Sequence, residues 1–505
     1  MSSSPSRLCP DEIHINDADR SSEVFGVLRD HSLTSIRSRF AFLKTLNQSI
    51  EQLVLPLTDM RTNATHPLST AALLHSASTI LFYDTKMAFL KRMLDHSNHR
   101  GSSYIAPELS LDPLETIEVD KPASSGQFLQ AAKGLSSVTS AGLRVKVATG
   151  GDPVFPLRVH LRGEQVLGSG GSFRHFMWLM ARELQSPLVD LLMPCPSAAA
   201  NRNKGKFILK PGPMTYSDEK LLIFFGQLLG ISLRSDIPLA VDLMPVFWKS
   251  LLGRQLDAKE DLRATDILTY NYLRRFSEIE TKEEFATLCF EADLCPYYFV
   301  YTSLPGDEVE LCPDGADVPV TWENRREYVD AIRALRLSEL RCEARIAAVQ
   351  CGLYSVVPLH VLAVLSPADL ETRMCGIPTV DLDFLKAHTT YVAGIKDTDL
   401  HIEYFWNALE NFSQDQLRKF IKFACNQERL PIRCSCQEGN SSSVHVPPYP
   451  MKIGPPGGRG RADSRYIRVE TCMFMIKLPP YSTQEIMTSK LLYAINCRED
   501  PLTDL

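Results

Sequence analysis

The 505-residue chain has no large surplus of charge of either sign. Its 54 Lys and Arg against 60 Asp and Glu leave a formal charge of −6, which gives no global electrostatic reason to expect nucleic acid or an anionic membrane as partner. Basic pieces such as GGRGRADSR are local. No uncharged apolar run reaches membrane-spanning length, and residues 1–20, MSSSPSRLCPDEIHINDADR, hold no apolar core of the kind a secretory leader needs. A cytoplasmic location, extending to the nucleus, is the expectation.

Paired cysteines are equally scarce. The thirteen cysteines are odd in number and stand singly in apolar segments, a pattern of reduced thiols rather than of a disulfide framework. Cys434 and Cys436 form the one tight pair. With Cys425 and His445 they have zinc-ligand chemistry, but the two-to-four-residue ligand spacing and a second matching pair are missing. No metal is expected.

What the chain does have is apolar content of 44% beside 23% charged residues, enough at this length for two or three cores. In SIRSRFAFLKTLNQSIEQLVLPL, residues Ile36, Phe40, Leu43, Ile50 and Leu53 fall near helical spacing until Pro56. LSTAALLHSASTILFYDTKMAFLKRML follows as a second helical segment, and residues 97–149 read as a connecting stretch with patches of structure.

From Phe155 a strand, a glycine turn and an amphipathic helix are predicted, with Phe173, Phe176, Met177, Met180 and Leu184 on one face. Gly168, Gly170 and Gly171 invite comparison with a phosphate loop, yet no Lys-Ser or Lys-Thr closes the turn. They read as a bend between strand and helix. Ser217 is the expected cap of a buried helix pair over SDEKLLIFFGQLLGISLRSDIPLAVDLMPVFWKSLLG. EVELCPDGADVPVTWENRREYV predicts a hairpin turning at Pro313, Asp314 and Gly315, then a helix from near Glu323. Gly376 and Pro378 interrupt the chain in the manner of a hinge.

The collinear series GEQVLGSGGSFRHF, FFGQLLGISL, DVPVTWENRREYV, CGIPTVDLDFLKAHTTY, FWNALENFSQDQLRKFIKFACNQERLP and TCMFMIKLPPYS resembles the HECT ubiquitin ligases over residues 150–505. The first helices resemble the segment upstream of the catalytic domain in very large members of that family. The resemblance implies an α+β, two-lobed domain: a mostly helical N-lobe with small β elements at 150–376, a hinge at 377–379, and an α/β C-lobe at 380–505, preceded by a helical extension at 1–96. It implies an E3 ligase that takes ubiquitin from a charged E2 conjugating enzyme as a glycyl thioester on Cys472, beside Thr471, and passes it to lysines of a protein substrate. No cofactor is implied. Positions carried over for docking the conjugating enzyme are Leu273, Leu288 and Tyr328, which could equally be core.

The chemistry suits a thiol, because exchange between thioesters is nearly thermoneutral and the product stays reactive toward amines. A free thiol of pKa near 8.5 is about 3% ionised at pH 7, so modest activation suffices. The acceptor lysine, of reference pKa about 10.4, must lose a proton, which a nearby carboxylate can take.

Here the sequence departs from the family. Glu470 stands where His is usual two residues before the cysteine, and Met473 and Phe474 replace Phe-Asn after it. In an extended segment Arg468, Glu470 and Cys472 would share a face, which makes Glu470 the candidate base for lysine deprotonation and Arg468 its counter-charge. The tail PLTDL has Leu502 where many members have a Phe, and Asp504 as a second acid. Two other functions stay open: a HECT-like binding or scaffold protein with weakened catalysis, and a cysteine hydrolase drawing on His388, His401 or His445.

Overall fold

The computed structural model describes residues 28–58, 69–97, 107–112, 126–144, 157–162, 169–291, 297–358, 362, 364–430, 450–457 and 460–497. Helices dominate, with three two-stranded sheets and one four-stranded sheet among the described residues, an α+β composition. By packing, the chain forms two units: Ile105–Leu143 with Phe155–Val356, and Met1–Tyr104 with Arg144–Val154 and Val357–Leu505.

The first of these begins inside the expected connecting stretch. Strand β1 (Glu108–Leu111) pairs in parallel with β2 (Arg158–Leu161), with Leu109, Leu111, Val159 and Leu161 buried. The helix Gln127–Leu135 starts on a buried carboxylate: Glu183 accepts the backbone N–H groups of Gln127 and Phe128 at 3.1 and 2.7 Å. An anion there meets both the free N–H groups and the positive end of the helix dipole. Gly170 and Gly171 lie in the first turn of the helix Ser169–Leu184 and not before it; Gly168 is outside the described residues. The face Phe173, Phe176, Met177, Met180 and Leu184 is wholly buried, as its spacing predicts.

β3 (Leu192–Pro194) and β4 (Phe207–Leu209) form an antiparallel pair. The helix Tyr216–Ser235 is capped by Thr215 and not Ser217. The Thr215 hydroxyl accepts the Asp218 N–H and the Asp218 carboxylate accepts the Thr215 N–H, each at 3.1 Å, so the reciprocal box starts the helix two residues earlier. This helix lies along Glu343–Val356 at backbone distance. A Cβ on Gly226 would sit 2.0 Å from the Val349 carbonyl oxygen, and one on Gly352 1.8 Å from that of Ile223. The glycine of FFGQLLG is therefore a packing requirement.

The predicted hairpin shifts by one strand. β5 (Val300–Thr302) pairs with β6 (Glu308–Glu310), so β6 turns back to what precedes it. Pro313–Gly315 lead instead into a short 3-10 turn, with Asp314 at φ 57°, and Pro319 then bridges Tyr298. β-branched and aromatic residues at 298–302 supply the partner strand on both sides. The helix Arg325–Arg341 follows.

In the second unit, buried Asn47 ties the early helices together. It donates to the Ile80 carbonyl at 3.1 Å and accepts from Phe82 N–H at 2.7 Å. The C-terminal part carries β7 (Thr390–Tyr391), β8 (Lys452–Gly454), β9 (Arg468–Glu470) and β10 (Met475–Lys477) in spatial order β7-β8-β10-β9. β9 is antiparallel to β10, and the other pairs are parallel. Helices Leu400–Glu410, Gln414–Cys425 and Gln484–Cys497 cover a core that includes Phe405, Phe420, Ile453, Ile476 and Leu491.

Candidate active site

Cys472 sits in a 3-10 turn, Thr471–Met473, between β9 and β10. The strand ends at Glu470, so Cys472 does not continue the extended alternation and the expected shared face stops at Arg468 and Glu470. The chain is anchored again two residues on. Phe474 adopts φ 48° and is buried in the C-terminal core, and its carbonyl accepts the Lys452 N–H at 2.9 Å. Met473 is half exposed. The Cys472 side chain lies outside the described residues.

One contact reaches the turn itself, and others fix the segment after β10. Asn426, left-handed at the end of the helix Gln414–Cys425, points its amide at the Thr471 hydroxyl at 3.5 Å. Downstream, Ser482 donates its N–H and hydroxyl to the Asp463 carboxylate at 2.9 and 2.8 Å. Those two bonds hold the Asp463 carboxyl below the usual carboxylate range. The Tyr481 hydroxyl donates to the Arg465 carbonyl at 2.9 Å, and burial raises its pKa. Leu-Pro-Pro-Tyr thus closes the strand and starts the helix Gln484–Cys497 at a fixed angle.

Register places Met475 opposite Glu470 and Lys477 opposite Arg468. Val469 and Ile476 turn to the core side, and Arg468, Glu470, Met475 and Lys477 share the other face. On it the Glu470 carboxylate forms an ion pair with Lys477. Arg468 is exposed and has no ion pair among the described residues. Lys477 and Asn426 were not foreseen. Cross-strand register and a helix end packed on a turn leave no local mark in a sequence.

Two of the three docking positions lie in the core and not on a surface. Leu273 and Tyr328 are 3% and 2% exposed in one core. The Tyr328 ring packs against Phe299 and Phe276, and its hydroxyl meets that of Tyr272 at 3.2 Å. Burial raises the pKa of both tyrosines. Leu288 belongs to the helix Lys282–Glu291, but its side chain is outside the described residues. The helices Ile267–Ser277 and Arg325–Arg341, which carry Leu273 and Tyr328, line an open cleft of about 200 Å³ between Phe276, Ser277, Arg325, Arg326, Val329, Asp330 and Arg333.

Gly376, at φ 72°, ends the helix Pro367–Cys375 by donating to the Thr372 carbonyl at 3.0 Å, and Ile377 bridges Leu430. Of the hydrolase histidines, buried His388 bonds its own helix through Nδ1 at 2.8 Å from the Phe384 carbonyl. His401 has its pKa lowered by burial. His445, Cys434, Cys436, Leu502 and Asp504 lie outside the described residues. No group of three or more metal-binding side chains occurs among those described, and no described helix is long and apolar enough to cross a membrane.

Residues 178–500 match the HECT-domain (ubiquitin-transferase) family, and the chain belongs to that family. It is 49% identical over 99% of its length to the probable E3 ubiquitin-protein ligase HECTD4 of Homo sapiens, of which it covers 13%. It is 31% identical over 67% of its length to the E3 ubiquitin-protein ligase HERC2 of Homo sapiens, covering 7%. With the E3 ubiquitin-protein ligase Nedd-4 of Drosophila melanogaster it shares 25% over 67%, covering 32%. The chain therefore spans a minor part of each of these relatives.

Proposed function

We propose that this chain is the ubiquitin-transferring part of an E3 ubiquitin ligase, with Cys472 as the nucleophile. The observation that carries the reading is a cysteine on a turn between two strands, inside a region that matches the HECT family. A two-lobed arrangement, jointed at Gly376 to Pro378, would let one nucleophile meet first a charged conjugating enzyme and then a substrate.

In the first step the Cys472 thiolate attacks the carbonyl carbon of the ubiquitin thioester on the conjugating enzyme, whose own thiolate leaves. In the second, the acceptor ammonium gives a proton to Glu470 and its freed lone pair attacks the new thioester. The isopeptide C–N bond forms, the C–S bond breaks, the attacking nitrogen gives up its second proton to the departing Cys472 thiolate, and Glu470 returns its own proton to water. Thr471, held toward Asn426, positions the turn. No metal or nucleotide takes part in either step. Leu273 and Tyr328 support this function as core residues of the helices Ile267–Ser277 and Arg325–Arg341, and the open cleft on those helices is the surface proposed for the conjugating enzyme.

Incubation with activating enzyme, a panel of charged conjugating enzymes and ubiquitin tests the reading. Ubiquitin conjugates that survive reductant, and that vanish in Cys472→Ala, are the expected products. Conjugates formed equally by Cys472→Ala would mean a scaffold that merely recruits conjugating enzyme. Cleavage of ubiquitin conjugates without any conjugating enzyme would mean a hydrolase.

A further inference from the structure

Among the described residues, Glu470 is engaged by a lysine of its own chain. Lys477 reaches it diagonally across the β9–β10 ladder. Two cations, Arg468 and Lys477, share the face with this one carboxylate, and Lys477 is the one paired with it. Lys477 stands directly opposite Arg468, a like-charge pairing that is unfavourable across a ladder. Glu470, on the same face, relieves it by pairing with Lys477. The pair is open to solvent, with side-chain exposures of 45% for Glu470 and 33% for Lys477, so another ammonium can reach the same oxygens.

Resting on the proposed role of Glu470, we infer that Lys477 occupies the seat of the acceptor lysine. It is a built-in placeholder that an incoming substrate ammonium must displace from Glu470 before giving up its proton. The ligand class is a primary alkylammonium, which Lys477 itself presents. A resident lysine of this kind makes discharge depend on how well a substrate lysine is delivered, and it holds back discharge to lysines met by chance.

The test uses the full chain, charged on Cys472 and then chased with free lysine as the probe at graded concentrations. Lys477→Ala is expected to reach half-maximal discharge at a lysine concentration about two- to fivefold lower than the parent, the range an exposed ion pair supports. Lys477→Gln, which keeps the side-chain length without the charge, is the second variant and should shift the same way. Lys477→Arg, which keeps the pair, should stay at or above the parent value. In a Glu470→Gln background the Lys477→Ala shift should disappear. Equal rates of thioester loading in the Lys477 variants and the parent check that the sheet is intact. If Lys477→Ala and Lys477→Gln need as much lysine as the parent while Glu470→Gln slows discharge, the placeholder is wrong and the base role stands. If Glu470→Gln discharges at the parent rate under saturating lysine, the base role fails and the placeholder fails with it.

Discussion

Lys86 Nζ lies 2.6 Å from Asp369 Oδ2, across 283 positions of sequence, and both side chains are almost wholly buried. Asp369 also accepts the Ser366 N–H in the box that starts the helix Pro367–Cys375. One carboxylate thus ties an early helix to the helix that ends at Gly376. Removing one partner strands a buried charge, so Lys86→Met should lose about 3 kcal/mol in urea denaturation. Lys86→Met with Asp369→Asn, which leaves a neutral cap, should lose clearly less.

Close approach of the helices Tyr216–Ser235 and Glu343–Val356 sets a second expectation. Gly352→Ala places a methyl group inside the Ile223 carbonyl oxygen, and backbone cannot swing aside as a side chain can. The helices must part, at a cost of about 3 kcal/mol. Thermal unfolding reads it directly, with a lower melting temperature as the outcome.

Glu470→Gln should slow discharge of ubiquitin to lysine while leaving thioester loading at the parent rate, since thiol exchange needs no base for an ammonium. Rapid-quench measurement of the two steps separates them. Equal loss of both, or of neither, would remove Glu470 from the second step.

The bracing of the Leu-Pro-Pro-Tyr turn is pH-dependent. Asp463 has its pKa lowered by the Ser482 bonds, so its contribution to stability is fully present above the unfolded carboxyl value and is lost as pH falls through the lower folded one. The stability difference between the parent and Asp463→Ala should therefore shrink as denaturation is measured from pH 6 down into the carboxylate range. A difference that stays constant would mean the carboxylate charge plays no part.

Tyr328 separates core from surface. Tyr328→Phe loses only the bond to Tyr272, about 1 kcal/mol, and Tyr328→Ala about 3 kcal/mol from the emptied space. Both are read from chemical denaturation. A Tyr328→Ala chain as stable as the parent would contradict the burial.

Much of this was legible in sequence where the signal is local. The buried face from Phe173 to Leu184 follows from spacing. Thr215 was missed as a cap because Ser217 offers the same chemistry two residues later, and only the reciprocal bond with Asp218 decides between them. The hairpin was misassigned because Pro313, Asp314 and Gly315 do form a turn, but β6 finds its partner upstream. At the candidate site, alternation carries Cys472 past the end of β9, where the chain enters the 3-10 turn Thr471–Met473. The Glu470–Lys477 pair depends on register, which no run of residues spells out.

The most direct measurement is a non-reducing gel of the chain after incubation with activating enzyme, charged conjugating enzyme and ubiquitin, run beside Cys472→Ala. An adduct of one ubiquitin that disappears on reduction and is absent from the variant is the predicted result. A folded chain that forms no such adduct with any conjugating enzyme, or forms it equally well without Cys472, would contradict the account.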